Sequence, residues 1–431
     1  MPKDYPRVLI FGQGFNTFSG GGVTLINLFK GWPKDKIASV VSNYEHVSYN
    51  VICDKIYGLK RWRYPISKLY KSRSGEINLE KLKLSKPNYK VTKNKRIINI
   101  IFKLFEKFGI LPFLRIKKIP HGLLVWIKEF NPDIIYTQLA DVNIAVMVSE
   151  LSSILNKPLA IHIMDDWPKT IYRHGFLSFI SRRRMEKYFL HLINKATVLM
   201  CISEYMAIEY QKRYKKNFLY FHNPVEISSW SKFQKSNWNI DKEIKILYIG
   251  RFGIATKKSI YDMVEAIQEI NINGYELLFE IFTPDYNMNL KRQFEKISRV
   301  RIHPSVPHDK VPELLSTANI LFLPLDFDSS TRDFIKYSIP TKATEYMASG
   351  VPILVYAPKN IALTEYAIQN KCALVISTRD LNYLKNGIIT LIEDSNLREK
   401  IAKNAMSLVE KRHSASIVRN EFREALFNGI C

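Results

Sequence analysis

Cysteine is scarce. Cys53, Cys201, Cys372 and Cys431 are scattered through 431 residues with no CxxC spacing, so neither a disulfide frame nor a zinc-thiolate site is supported and free, reduced thiols are expected. Glycine (17) and proline (19) are too few for a collagen-like or low-complexity chain. With 46% hydrophobic and 24% charged residues, the composition is that of a globular protein. Long apolar runs are missing too: nowhere do about 18 apolar residues stand together, which excludes a spanning helix. The run from Met1 to Gly12 lacks a cleavable signal pattern, so a cytosolic protein is expected. At roughly 150 residues per domain, the length implies two or three domains.

Acidic residues are also in short supply, 40 against 64 Lys and Arg, for a net charge of +24. The imbalance is local: from Asp54 to Lys118 there are 19 basic and 4 acidic residues. A polyanion is expected there, whether nucleic acid, anionic lipid or a phosphorylated substrate.

What is present is an alternation. Val8 to Phe11 reads as a buried parallel strand, followed by a glycine-containing loop and an apolar-periodic helix from Val23 to Phe29. Strands at Asp133–Tyr136, Pro158–Ile163, Thr197–Ile202 and Phe218–Phe221 follow, with a helix over Val142–Leu155. A polar stretch from Glu226 to Glu243 reads as a linker. The alternation then restarts at Ile244–Gly250 and runs through the helix Ser259–Ile270, the strands Glu276–Phe282 and Asn319–Leu323, the helix Thr341–Ser349 and the strand Val351–Tyr356. One or two amphipathic helices are expected from Asp394 to Phe427. This is the grammar of two doubly wound α/β halves, which bind ligands at the carboxyl ends of their strands.

Three clusters at such ends can carry chemistry. Gly12-Gln13-Gly14 lacks the third glycine of a dinucleotide fingerprint, Thr17 standing in its place, so a dehydrogenase reading fails. Gly20-Gly21-Gly22 precedes a helix, where bare backbone N–H groups can face a phosphate or a sugar, although a flexible turn accounts for it equally well. Gly250-Arg251-Phe252 closes the first strand of the second half, with Lys257-Lys258 shortly after; two cations there suit a diphosphate. In Ser338-Ile339-Pro340-Thr341-Lys342-Ala343-Thr344-Glu345, Thr341 and Lys342 fall in a first helical turn, and Glu345 lies one turn on, placed to accept hydrogen bonds from a pair of ribose hydroxyls.

Gly250-Arg251-Phe252, Lys258, Pro340-Thr341-Lys342 and Glu345-Tyr346-Met347-Ala348-Ser349-Gly350-Val351-Pro352 together resemble the motifs of GT-B glycosyltransferases, most closely glycosyltransferase family 4. The likeness is good from Lys245 to Asn404 and looser before that, through Gly20-Gly21-Gly22, Pro132-Asp133-Ile134 and Asn223-Pro224-Val225. It implies two Rossmann-like, doubly wound parallel-sheet domains facing a central cleft. Residues 1–225 would form an acceptor-side domain carrying the basic segment 54–118, and 226–243 the linker. Residues 244–410 would bind the nucleotide-sugar, and 411–431 would pack back on the first domain.

The resemblance further implies a retaining, metal-independent enzyme of hexosyltransferase type, with no cofactor and with a nucleotide-sugar as substrate. Arg251 and Lys258 would bind the donor diphosphate and stabilise its charge as the glycosidic bond breaks. Glu345 would hold the ribose, and Gly21 and Gly22 would approach the donor; Thr341 and Lys342 join this donor set. Three departures stand out. Tyr337 occupies the position of the family's first Glu, which touches the donor sugar. Thr283-Pro284 replaces a frequent glycine. The family's His-Asp pair after the strand Pro158–Ile163 is here Met164-Asp165, followed by Asp166 and Trp167. Asp165 and Asp166 are therefore expected on the acceptor side, with Met164 and, by a two-residue slip, His162.

The basic segment yields a second expectation. From Lys95 to Phe108, Ile97, Ile101, Leu104, Phe105 and Phe108 alternate at helical spacing with polar and charged residues, flanked by further cations. Lys95, Arg96, Lys103, Lys107, Arg115, Lys117 and Lys118 would face an anionic membrane. The family resemblance implies the rest: an enzyme on the inner face of the cytoplasmic membrane, with a glycan or polyprenyl-diphosphate-linked acceptor, in cell-surface polysaccharide synthesis. Packing of the apolar stripe on the sheet is the other explanation. Two other functions compete: a nucleic-acid-binding protein using the segment 54–118, against which no RNA or DNA module is recognisable, and a GT-B sugar-nucleotide epimerase.

Overall fold

The structure is a computed structural model that describes residues 5–17, 19–41, 52–59, 74–77, 119–139, 142–171, 175–253 and 255–430. The chain divides into two units, residues 1–221 with 419–431, and residues 222–418.

Unit 1 holds an eight-stranded sheet of β1 (Val8–Phe11), β2 (Ile37–Val41), β3 (Lys55–Gly58), β4 (Gly75–Glu76), β5 (Ile134–Gln138), β6 (Leu159–Ile163), β7 (Val198–Cys201) and β8 (Leu219–Tyr220). Their order is β4-β3-β2-β1-β5-β6-β7-β8, and every pairing is parallel except β3 with β4. The central strands are uninterrupted runs of buried residues because helices cover both faces of a parallel sheet. The last helix, Ala415–Asn428, starts in unit 2 and ends in unit 1. There Phe422 meets Phe29, Trp32, Tyr136 and Phe221 edge-on, with ring centroids 5.2–6.4 Å apart.

Unit 2 repeats the plan with β9 (Glu243–Ile249), β10 (Glu276–Thr283), β11 (Val300–Pro304), β12 (Ile320–Pro324), β13 (Ile353–Tyr356) and β14 (Leu374–Ile376), ordered β11-β10-β9-β12-β13-β14 and all parallel. In each sheet the strand order reverses beside the first strand, between β1 and β5 and between β9 and β12. Those two points leave open crevices at the strands' carboxyl ends.

The stretch 226–243 is packed on unit 2. Trp230 is buried, the Lys235 N–H donates to Ser349 O (2.9 Å), and Trp238 Nε1 donates to Gly350 O (2.8 Å). Gly350 has φ +72°, and a Cβ there would stand 2.7 Å from Lys235 O, so the backbone of this stretch closes over the glycine. The stretch read as an interdomain linker thus holds the short helix Ile227–Trp230 and is docked on unit 2.

Among the described residues no helix is long and apolar enough to cross a membrane, and no group of three or more His, Cys, Asp or Glu is placed to hold a metal ion. Cys53, Cys201 and Cys372 are buried and free.

Candidate functional site

The switch point of unit 2 gathers the charged residues expected to bind the donor: Arg251, Lys258, Lys342 and Glu345. β9 runs into Gly250, whose φ of +151° is rare for any residue with a side chain. Space makes the same demand. A Cβ on Gly250 would stand 2.5 Å from Lys342 Nζ, and that ammonium lies 4.0 Å from the Tyr248 ring centroid, over its face. Gly250 therefore leaves a path for a cation from the next motif to reach the end of β9.

The loop beyond is tied to itself. Arg251 O accepts from Tyr248 Oη (2.6 Å) and Thr256 Oγ1 (2.9 Å), and the Phe252 N–H donates to Asp285 Oδ2 (2.8 Å). The Arg251 guanidinium is largely exposed and stands 4.0 Å from Asp285. Lys258 lies in the first turn of the helix Lys257–Glu269 and pairs with Asp328 at 2.8 Å. That turn is pinned to β12's carboxyl end, where the Ser259 N–H donates to Asp326 Oδ1 (2.8 Å) and Ser259 Oγ to Leu325 O (3.1 Å). Exposed ion pairs of this kind are worth about 0–1 kcal/mol, so the acids hold the cations in place and yield readily to a more highly charged anion.

The helix Thr341–Ala348 supplies the other wall. Tyr346, fully buried, accepts the Ile249 N–H at 2.8 Å and so fixes the helix against β9. The Glu345 side chain is 17% exposed, and its Oε1 lies 3.0 Å from His308 Nε2. Thr341 is half-buried in the first turn. Tyr337 is half-buried just beyond the helix Ser329–Ile335, with Lys336 Nζ 5.1 Å from its ring centroid. Asp285, Asp328 and His308 belong to this site and were not read from the sequence. The two acids follow strand ends in loops, and only the pairing with Arg251 and Lys258 singles them out.

Unit 1's switch point is built differently. The triple glycine is the first turn of the helix Gly20–Phe29, capped by Ser19 Oγ, which accepts the Gly22 N–H at 3.1 Å. The helix starts three residues earlier than apolar periodicity indicated, because the cap and not the first apolar residue sets its origin. None of the three glycines has positive φ; what they supply is clearance. A Cβ on Gly21 would stand 2.7 Å from Gln138 Oε1, and one on Gly22 would run into the Asn16 carboxamide.

The acceptor-side residues separate. Met164 and Asp165 are half-buried at the end of β6. Asp166 is 2% exposed and fully engaged, accepting from Arg213 Nη1 (2.8 Å), Arg213 Nη2 (2.9 Å) and Tyr210 Oη (2.9 Å). This corrects its assignment: the carboxylate anchors the helix Glu204–Tyr214. Trp167 is buried edge-on against Phe189. His162 is wholly buried, with Nδ1 bound to Tyr136 Oη at 2.8 Å, and burial lowers its pKa to about 4. It is a neutral core residue, which corrects its acceptor-side reading as well. Lys95, Arg96, Lys103, Lys107, Arg115, Lys117 and Lys118 lie outside the described residues.

Comparison with known proteins gives the class first. Over 98% of this chain and 99% of the other, the structure resembles HepE of Anabaena in complex with UDP, at 13% identity and a TM-score of 0.61. It resembles the sucrose-phosphate synthase of Thermosynechococcus elongatus over 97% of both chains, at 13% identity and a TM-score of 0.62. WaaG, a glycosyltransferase involved in lipopolysaccharide biosynthesis, matches over 97% of this chain and 99% of its own, at 14% identity and a TM-score of 0.55. The fold is therefore GT-B, two parallel-sheet α/β domains. The sequence is more specific: residues 229–407, wholly within unit 2, match the family model of glycosyl transferases group 1. The protein is a glycosyltransferase. No curated protein matches the chain by sequence.

Proposed function

We propose that the protein is a retaining glycosyltransferase that moves a sugar from a nucleotide-sugar to a glycan or lipid-linked acceptor in cell-surface polysaccharide synthesis, with no metal required. The observation that carries the donor half is the ring of cations at unit 2's switch point: Lys342 over Gly250, and Arg251 and Lys258 on the loop beyond. In this reading they bind the diphosphate, exchanging Asp285 and Asp328 for it, and stabilise the charge that grows on the leaving phosphate. That leaves a divalent ion no task. Glu345 holds the ribose hydroxyls, and His308 is the neighbour it gives up or shares when they arrive. The acceptor hydroxyl bonds to the anomeric carbon on the face that the phosphate leaves, the carbon–phosphate oxygen bond breaks, and that phosphate oxygen takes the hydroxyl's proton. No carboxylate base is needed, in keeping with Asp166 and His162 being locked in the core; Asp165 remains to orient the acceptor.

A membrane-associated acceptor is supported by a surface within the described part of unit 1. Phe176 is 84% and Phe179 66% exposed, beside the exposed Arg182, Arg183 and Lys187 of the helix Ser178–Lys195. Apolar side chains flanked by cations suit an anionic bilayer surface. The test of the donor reading is a thermal-shift screen against nucleoside diphosphates and their sugars, with and without a chelator. A shift of several degrees with one nucleotide, unchanged by chelation, is expected. A shift that vanishes with the chelator overturns metal independence, and no shift with any nucleotide overturns the donor site.

A further inference from the structure

One side chain at unit 2's switch point stands outside the ring of cations. His308 opens the short turn His308–Lys310, between β11 and the helix Val311–Ser316. The backbone there is fixed on both sides: the Ser305 N–H donates to Thr283 O (3.1 Å), the Lys310 N–H donates to Pro307 O (2.9 Å), and Val311 is buried. The imidazole is nevertheless 62% exposed, and its Nε2 lies 3.0 Å from Glu345 Oε1. A carboxylate oxygen only accepts, so Nε2 carries the hydrogen and donates it.

That contact is ill suited to holding the fold together, because a polar pair at so exposed an imidazole adds little to stability. It also comes from outside the helix Thr341–Ala348, although that helix has a cation of its own one turn back from Glu345, at Lys342. Lys342 is turned instead to the face of Tyr248, 4.0 Å from the ring centroid. Glu345 Oε1 is therefore held by a different loop, and among the described residues Oε2 has no hydrogen-bond partner. The Ile249 N–H, bound to Tyr346 Oη at 2.8 Å, keeps the helix backbone in place. What freedom the carboxylate has lies in its own side-chain torsions.

We infer that His308 is a positioning residue for a ribonucleotide: it holds Glu345 through Oε1 so that the carboxylate's remaining lone pairs meet the neighbouring 2′- and 3′-hydroxyls of one ribose. The inference rests on the donor reading above and deepens it. An ionised carboxylate offers about four lone-pair sites, so one bond from His308 leaves enough for two hydroxyls. A free glutamate must surrender its rotamers when the ribose arrives. One that is already held has lost them beforehand, and the nucleotide binds more tightly as a result. A single hydroxyl, as in a deoxyribose, can be met by a carboxylate in many orientations and gains less from the restraint. His308 thus acts through Glu345 and touches no reacting atom.

The test is calorimetric titration of the full chain with UDP, GDP and ADP, followed by the 2′-deoxy and 3′-deoxy forms of the tightest binder. His308→Ala should weaken that nucleotide about five- to tenfold and leave the melting temperature within about a degree of the parent's. In a Glu345→Ala background the same change should cost less than about twofold, because the residue through which it acts is gone. With at least one deoxynucleotide, parent and His308→Ala should likewise agree within about twofold. His308→Gln, whose amide Nε2 reaches the place of the imidazole Nε2, should restore most of the affinity. Parental affinity in His308→Ala, an equal loss with and without Glu345, or an equal loss with ribo- and both deoxynucleotides overturns the inference while the donor reading stands. If no nucleoside diphosphate binds the parent, or Glu345→Ala leaves binding unchanged, the donor reading itself falls and takes this inference with it.

Discussion

The two units share a strand order and differ in what stands at the point where it reverses. In unit 2 the strand ends carry ions: Arg251 near Asp285, Lys258 with Asp328, Glu345 with His308, and Lys342 over an aromatic face. Among the described residues of unit 1, Gln13, Asn16, Gln138 and a glycine turn are neutral, Asp165 is half-buried at the end of β6, and Asp166 is folded inward on Arg213. The same scaffold has been given two chemistries. A charged rim attracts and discharges an anion; a neutral rim with both donors and acceptors can sort hydroxyls.

The largest expected effect tests whether Asp166 belongs to the fold or to the chemistry. Asp166→Ala leaves Arg213 without its buried partner and should lower stability by about 3–5 kcal/mol in denaturant unfolding. A near-parental midpoint with transfer abolished would return Asp166 to the acceptor side. Next is Arg251→Ala, which should slow transfer by at least ~100-fold in initial-rate assays while the unfolding midpoint stays close to the parent's. Near-parental turnover would sink the claim that unit 2's ionic rim does the chemistry.

Glu345 is expected to show a graded response. Glu345→Gln keeps an acceptor and should weaken nucleotide binding by roughly tenfold, with Glu345→Ala weaker still, because a ribose hydroxyl is then left unpaired. Calorimetric titration that returns parental affinity for both would make the residue a structural partner of His308.

Acidification touches both units alike. Burial lowers the pKa of His162 in unit 1 and of His413 in unit 2 from 6.5 to about 4. In that window the unfolded chain binds more protons than the folded one. Stability present at neutral pH is therefore lost as pH falls from 6.5 towards 4, by roughly 1 kcal/mol per ring at about pH 5.5. Melting curves should show it, and His162→Gln should flatten the slope by about half; an unchanged slope would mean that the ring is not the group titrating. The smallest effect concerns the exposed face of unit 1: Phe176→Ser with Phe179→Ser should reduce flotation with anionic vesicles by a few-fold at moderate salt and leave solution transfer intact. Equal recovery of parent and variant would remove this face from any membrane contact.

The residues that sequence reading singled out in unit 2 lie together at its switch point, and the reasons are local. Gly250-Arg251, Lys258 and the run from Pro340 to Pro352 each lie in a strand end or a single helix, where spacing along the chain determines position in space. The alternation of strands and helices was legible for the same reason. The early helix start at Gly20 was not, since the Ser19 cap depends on a side-chain orientation that periodicity ignores.

What the chain's own order determined, then, was the doubly wound architecture, the cationic rim and the glycine turn, all written within stretches of about a dozen residues. Tertiary structure decided which polar groups are available to a ligand. Asp166 meets Arg213, 47 residues away, and is drawn into the core; Glu345 meets His308 across 37 residues; residues 226–243 close over Ser349 and Gly350; Gln138 packs against Gly21. A carboxylate or carboxamide reads the same in sequence whether its partner is an arginine, a sugar or nothing at all. Only folding settles which groups water has left and which of those have found a partner.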